Sequence, residues 1–159
     1  MGIVTIRDEY EAVVRREAGA LRRYAVTLTR NEWLADDVVQ ESFLRAWRYW
    51  ESFRGESTRQ AWLIRICRNV AFTMLRKQLP TTALSNDHDH PSTTNEGIVD
   101  LADELAGLSI EHREVIVLID LLGYDYATVA DIFDCPIGTI RSRTSRARDA
   151  LRRLRRESA

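Results

Sequence analysis

The chain has 159 residues, 45% of them hydrophobic and 30% charged, with a net charge of −1. This suits one ordinary folded domain or two small ones. Its apolar runs are short: residues 115–119 are ended by Asp120, and no apolar leader opens the chain. A span of ~18–20 apolar residues is therefore excluded, and a cytoplasmic protein without membrane insertion is expected.

Tyr10, Val13, Val14, Leu21, Tyr24, Ala25 and Leu28 recur at helical spacing and predict an amphipathic helix over 8–30. Asn31 offers a cap to a second helix with Leu34, Val38, Phe43, Leu44 and Trp47 as apolar positions. Gly55, Ser57 and Thr58 mark a loop, and a third helix is expected over 59–77 with Trp62, Ile66, Val70, Phe72 and Leu75. Residues 79–98 are polar and punctuated by Pro80, Pro91 and Gly97. They lack the apolar surface needed to offset the entropy of ordering and read as a linker. Helical patterns resume over 99–105, 110–122, 126–133 and 137–156, and no alternating strand pattern intervenes. The expected fold class is all-α: two small helical domains, 1–78 and 99–159, joined by a flexible acidic linker, with a helix-turn-helix in the second.

Cys67 and Cys135 form no CxxC pair, so each is expected to be a small buried group rather than half of a disulfide. The run Asp87 to His90 alternates acid and histidine, but it has no cysteine and no glycine-shaped turn beside it. A solvated linker is the plainer reading than a metal site, and no metal or cofactor is expected.

The near-neutral total hides an uneven distribution. All basic residues but Lys77 are arginine; eight arginines stand between Ile137 and Arg156 against the single acid Asp149. Residues 78–112 hold seven acids and no Lys or Arg. Local fields rather than the sum decide what a surface attracts.

In the C-terminal segment, Ala127, Ala130 and Ile132 suit a closely packed support helix, and Asp134-Cys135-Pro136 is a short breaker. Proline fits there because the first turn of the following helix has no use for its missing N–H. Along that helix Ile140, Ala147, Leu151 and Leu154 share an inward face, leaving Thr139, Ser142, Arg143, Arg146 and Arg153 on one exposed side. Arg141, Arg148, Arg152 and Arg155 lie on another. The first group is placed to read base edges and the second to clamp phosphates, tasks that the planar guanidinium fork performs with two acceptors at once. A solvated arginine helix would normally carry acids four residues away, and within this helix only Asp149 is available.

In the N-terminal half, residues 36–47 combine acids and apolar groups, with Asp37, Gln40, Glu41 and Leu44 on one side of a helix. An ordinary acidic surface over a core would look the same. Residues 59–77 mix cations with aromatics: Trp50, Phe53 and Trp62 lie near Arg54, Arg59 and Arg65. Unpaired bases stack on such groups, although part of the aromatic set could equally be core.

Taken in this order, the three blocks resemble an extracytoplasmic-function sigma factor over nearly the whole chain. The resemblance implies that Asp36, Asp37, Gln40, Glu41, Phe43, Leu44 and Trp47 dock on core RNA polymerase. It implies that Phe53, Arg54, Arg59, Trp62, Arg65, Arg68, Asn69, Arg76 and Lys77 take separated bases of the −10 element. It assigns duplex −35 recognition to Thr139, Arg141, Ser142, Arg143, Arg146 and Arg148. Core polymerase, promoter DNA and an anti-sigma factor are the implied partners, and the acidic linker could mimic a phosphate backbone or merely stay soluble. Thr73, Ser109 and Thr128 depart from residues frequent in the family, an acid, a proline and an acid respectively. No nucleophile–base pair, phosphate loop or zinc cage is visible, so the chain is read as a non-catalytic specificity subunit. A stand-alone helix-turn-helix regulator binding an operator as a dimer is the competing reading, and a metal or redox sensor using the cysteines and histidines is a third.

Overall fold

The computed structural model describes residues 2–78 and 96–159. Both the linker core and the run from Asp87 to His90 lie outside these residues. Among the described residues the fold is all-α. Its helices are α1 (Ile6–Thr29), α2 (Glu32–Arg48), α3 (Arg59–Gln78), α4 (Glu96–Leu105), α5 (Ile110–Val115), α6 (Tyr126–Phe133) and α7 (Ile137–Glu157).

Local chemistry sets most of the boundaries. A capping box between Thr5 and Asp8 opens α1, and Arg30 in the left-handed region (φ 52°) closes it. Asn31 then accepts from the Leu34 N–H at 3.0 Å to start α2. A short 3₁₀ turn, Trp50–Ser52, leads into the loop before α3, where the Thr58 hydroxyl accepts from the Ala61 N–H at 3.1 Å. The start of α4 at Glu96 lies within the stretch assigned to the linker, because the helical turn carrying Leu101, Ala102 and Leu105 onto α1 begins earlier than its apolar residues reveal.

Residues 110–122, where a helical pattern is expected, are helical but not of one kind throughout. α5 passes into a π-helical turn, Ile116–Leu121, in which the Leu122 N–H reaches the Val117 carbonyl. Val115, Ile116, Val117 and Leu118 are all buried in succession, so the chain is enclosed on every side there, whereas Asp120 and Leu121 are exposed. This segment packs between α1 on one flank and α6 and α7 on the other. Near its start, Gly107 lets the chain pass under the end of α7: a Cβ there would meet Leu154 Cδ1 at 2.9 Å.

The two helical units do not stand apart. α1 packs on α2 and α3 with one flank and on α4 and α5 with the other, and α3 also meets α6. Consequently residues 24–29 of α1 are buried all the way round, although the sequence pattern marks only one apolar face. Burial pushes the Tyr24 hydroxyl well above its ordinary value, and the neighbouring Glu114 adds to this.

Candidate polymerase and nucleic-acid interfaces

The first surface is the outer side of α2. Leu34, Ala35, Val38, Ser42 and Ala46 face the core, which turns Trp33, Asp37, Gln40, Leu44 and Trp47 outward at alternating spacings of four and three residues. Trp33 is 72% exposed, Leu44 55% and Trp47 46%, so this stripe is largely open to solvent, with Trp47 resting against the Tyr10 ring at 4.8 Å. A shallow cleft of about 350 Å³ beside it is lined by Arg7, Tyr10, Glu11, Leu44 and Trp47.

The remaining residues of that block have inward or local partners. Asp36 accepts from Arg22 Nε at 2.9 Å, Glu41 from Arg45 Nε at 2.8 Å, and the half-buried Phe43 offers its carbonyl to the Tyr10 hydroxyl at 2.7 Å. Trp33 was not among the sequence candidates. Its place one helical turn before Asp37 on the same side is the signal that could have found it.

The second surface is an aromatic cluster before and within α3. Ring centroids lie 5.2 Å apart for Tyr10 and Trp50, 6.0 Å for Trp50 and Trp62, and 5.3 Å for Phe53 and Trp62. The Arg59 guanidinium sits 3.8 Å from the Trp50 ring centroid and 4.1 Å from that of Phe53. Burial lowers the Arg59 pKa, and Glu9 partly restores it. Trp50 is core, whereas Phe53 and Trp62 remain half-buried. With Ser52, Arg54 and Arg65 they line an open hollow of about 360 Å³ in which a flat base could stack with a cation at its rim. Arg54, Asn69, Arg76 and Lys77 are exposed around it or further along α3.

Arg65 and Arg68, both half-buried, also have partners in the C-terminal unit. Arg65 donates from its guanidinium to the Asp131 carbonyl of α6. Arg68 pairs with Glu114 of α5 at 2.7 Å and lies over the rings of Phe72 and Phe133, each 4.8 Å away. Burial would lower the Arg68 pKa, but the hydrogen bond and charge of Glu114 outweigh it and raise the value. A cleft of about 490 Å³ between the two units includes Ser57, Arg65, Asp131, Asp134 and Pro136 in its lining.

The third surface is the helix-turn-helix. Asp125 caps α6 by accepting from the Thr128 N–H at 2.7 Å, and these contacts hold its carboxyl below the usual range. Asp134 ends α6 in the left-handed conformation (φ 50°), and Pro136 precedes α7. Ile140, Thr144 and Ala147 are buried beneath α7, while Arg141, Ser142, Arg146 and Arg153 are exposed; Thr139 and Arg143 are half-buried.

The side assigned to phosphates is less free than the sequence suggested. Arg148 makes two bonds to Asp120, at 2.6 and 3.1 Å, which raise its pKa above the ordinary arginine value. Arg155 pairs with Glu104 at 2.6 Å and Arg152 with Asp149 at 2.8 Å. Two of these acids come from other elements, where spacing within α7 could not reveal them. Among the described residues Arg141, Arg143, Arg146 and Arg153 have no acidic partner within ion-pair distance.

Residues 13–80 match the Sigma-70 region 2 family and residues 98–151 match Sigma-70, region 4. The ECF RNA polymerase sigma factor SigC of Mycobacterium tuberculosis is 38% identical over 125 residues, which cover 74% of this chain and 68% of that protein. The ECF RNA polymerase sigma-E factor of Haemophilus influenzae is 37% identical over 153 residues, covering 84% and 78% respectively. Among solved structures, the sigma factor RpoE of Bartonella quintana in complex with the anti-sigma factor NepR is similar, with a TM-score of 0.76 and 32% identity. That likeness covers 93% of this chain and 97% of RpoE. CnrH in complex with the cytosolic domain of CnrY gives a TM-score of 0.75 and 25% identity over 94% of this chain and 89% of CnrH. With both regions present in order, the chain belongs to the extracytoplasmic-function RNA polymerase sigma factors.

Proposed function

We propose that this chain binds core RNA polymerase through the outward stripe of α2 and directs initiation by gripping promoter DNA at two places. The observation that carries the reading is the presence in one chain of a duplex reader and a base-stacking hollow. The first is α7, with Arg141, Arg143 and Arg146 free of acids. The second is lined by Phe53, Trp62 and Arg54. Neither alone holds a promoter; joined through polymerase, each raises the effective concentration of the other.

Within this reading residues 1–78 form the docking and −10 unit, 79–98 the linker and 99–159 the −35 unit. Asp37, Gln40, Leu44, Trp47 and the added Trp33 make the polymerase contact, with Asp36, Glu41 and Phe43 supporting the helix that presents them. Thr139, Ser142, Arg143 and Arg146 face bases of the −35 duplex, flanked by Arg141 at a phosphate, while Arg148 stays with Asp120. Catalysis rests with the polymerase, and the chain works beside it in the cytoplasm. The two similar structures are complexes with an anti-sigma factor or a cytosolic partner domain. An anti-sigma factor covering the same faces is the corresponding partner here.

The test is reconstitution: purified chain added to core polymerase, then run-off transcription from candidate promoters. Promoter-dependent transcripts are expected. Failure to bind core polymerase, or tight operator binding by the chain alone as a dimer, would overturn the reading.

A further inference from the structure

We propose that Arg59 is a positioning residue for the base-stacking hollow: its guanidinium, clasped by three aromatic rings, sets Phe53 and Trp62 for an unpaired base and does not itself touch DNA. The inference rests on the assignment of that hollow to the −10 element. Composition alone would make Arg59 a phosphate contact, since it stands on a basic stretch with Arg54, Arg65 and Arg68. Its surroundings give it a different task.

The guanidinium carbon lies 3.8 Å from the Trp50 ring centroid, 4.1 Å from that of Phe53 and 5.5 Å from that of Trp62. One guanidinium nitrogen donates to the Trp50 carbonyl at 3.3 Å, and another lies 3.8 Å from the Glu9 carboxylate of α1. The side chain is only 23% exposed and does not line the hollow, whose cations are Arg54 and Arg65. The lowered pKa of Arg59 reflects the same burial. A desolvated cation is held more strongly by ring faces than an exposed one, and the planar guanidinium can stack on rings while its N–H groups bond elsewhere.

The hollow needs such a support. Phe53 follows the 3₁₀ turn and stands two residues before Gly55, which bends the loop in the left-handed region at φ 74°. Among the described residues no hydrogen bond holds residues 53–56. The Phe53 ring is therefore placed by what it packs on, namely Trp62 at 5.3 Å and the Arg59 cation. Trp50, by contrast, is core. Arg59 thus carries the rigidity of Trp50 and α1 to a ring on a loop. A ring already in place spares an incoming base the entropy of ordering it, so the cation favours capture without a charge contact.

The experiment uses holoenzyme assembled from core polymerase and the full chain as wild type, Phe53→Ala, Arg59→Met and the double variant, each chain checked for folding by circular dichroism. Binding of a labelled pool of random single strands about 20 nucleotides long is followed by fluorescence anisotropy over a range of salt, with core polymerase alone as background. Arg59→Met should weaken binding on the order of five-fold with the salt slope unchanged. In the Phe53→Ala background it should weaken binding no further, because it acts through that ring.

A slope reduced by about 0.7, the share of one phosphate contact on a single strand, would make Arg59 a DNA contact and overturn the proposal. So would full additivity of the two substitutions, or a folded Arg59→Met holoenzyme that binds as the wild type does. Should Arg59→Met fail to fold, modification of arginines by phenylglyoxal in wild-type holoenzyme decides. A rate at Arg59 indifferent to the strand supports the positioning role, whereas protection by the strand defeats it. A Phe53→Ala holoenzyme that binds as tightly as the wild type would take the hollow off DNA and defeat the −10 assignment together with this inference. With Phe53→Ala weakened, the other outcomes bear on Arg59 alone.

Discussion

Glu114 of α5 and Arg68 of α3 are 46 positions apart in the chain, yet their charged groups meet at 2.7 Å. The Tyr24 hydroxyl of α1 completes the arrangement at 2.6 Å from the same carboxylate oxygen. Three helices from both halves of the protein are therefore tied at one buried charge.

Replacing Tyr24 by phenylalanine tests what that tie contributes. The ring keeps its place, but a buried carboxylate loses a donor, and hydrogen bonds to charged groups contribute about 1.5–3 kcal/mol. Urea unfolding of Tyr24→Phe should fall by that amount with an unchanged slope. A loss below about 0.5 kcal/mol would show that water replaces the hydroxyl, contrary to its burial.

Trp33 separates surface from core. Because it is 72% exposed, Trp33→Ala should alter unfolding stability by less than about 0.5 kcal/mol. Affinity for core polymerase should nevertheless drop about ten-fold, as expected when an aromatic anchor buried by a contact is removed. Titration by fluorescence anisotropy measures this, and unchanged affinity would remove Trp33 from the docking face.

Two arginines on α7 should differ in kind. Arg143 is half-buried beside the Phe133 ring at 5.7 Å and is proposed to read bases, whereas Arg152 pairs only with the exposed Asp149. Arg143→Ala should change which −35 sequences are preferred in competition assays with holoenzyme. Arg152→Ala should weaken all sequences alike and reduce the salt slope by about 1. Equal, sequence-blind effects from both would contradict the assignment of sides.

The alkaline limb of stability should report Tyr124. Burial first, and then Glu17, push its hydroxyl up to about 12 from an ordinary value near 10. The folded state therefore holds this proton more tightly than the unfolded state does. The stabilisation is fully present below pH ~10 and is lost as pH rises from there through the folded-state value. Denaturant midpoints between pH 8 and pH 12 should fall less steeply for Tyr124→Phe than for the wild type; parallel curves would show that Tyr124 does not titrate across unfolding.

The helices were readable because their signals are local. The Asn31 cap, the Pro136 start and the apolar positions of α7 act within a turn or two of where they stand. The same locality explains the outward stripe of α2, since residues that share a helix side are set by spacing alone. It also explains the misreadings. The cations of Arg148 and Arg155 looked free because their acids, Asp120 and Glu104, lie 28 and 51 positions away.

Periodicity records whether a helix has one apolar side, and α1 satisfied that test. It does not record that a second layer covers the other side, as α4 and α5 do over residues 24–29. The amino-acid sequence by itself determined the all-α class and the order of an acidic-apolar, a cation–aromatic and an arginine-rich helix, and through that order the family. Only the tertiary structure decided which of those residues are free. Packing one unit on the other ties Arg65 to α6 through one guanidinium nitrogen and Arg68 to α5 through two, because partners 66 and 46 positions away meet them only in the folded chain.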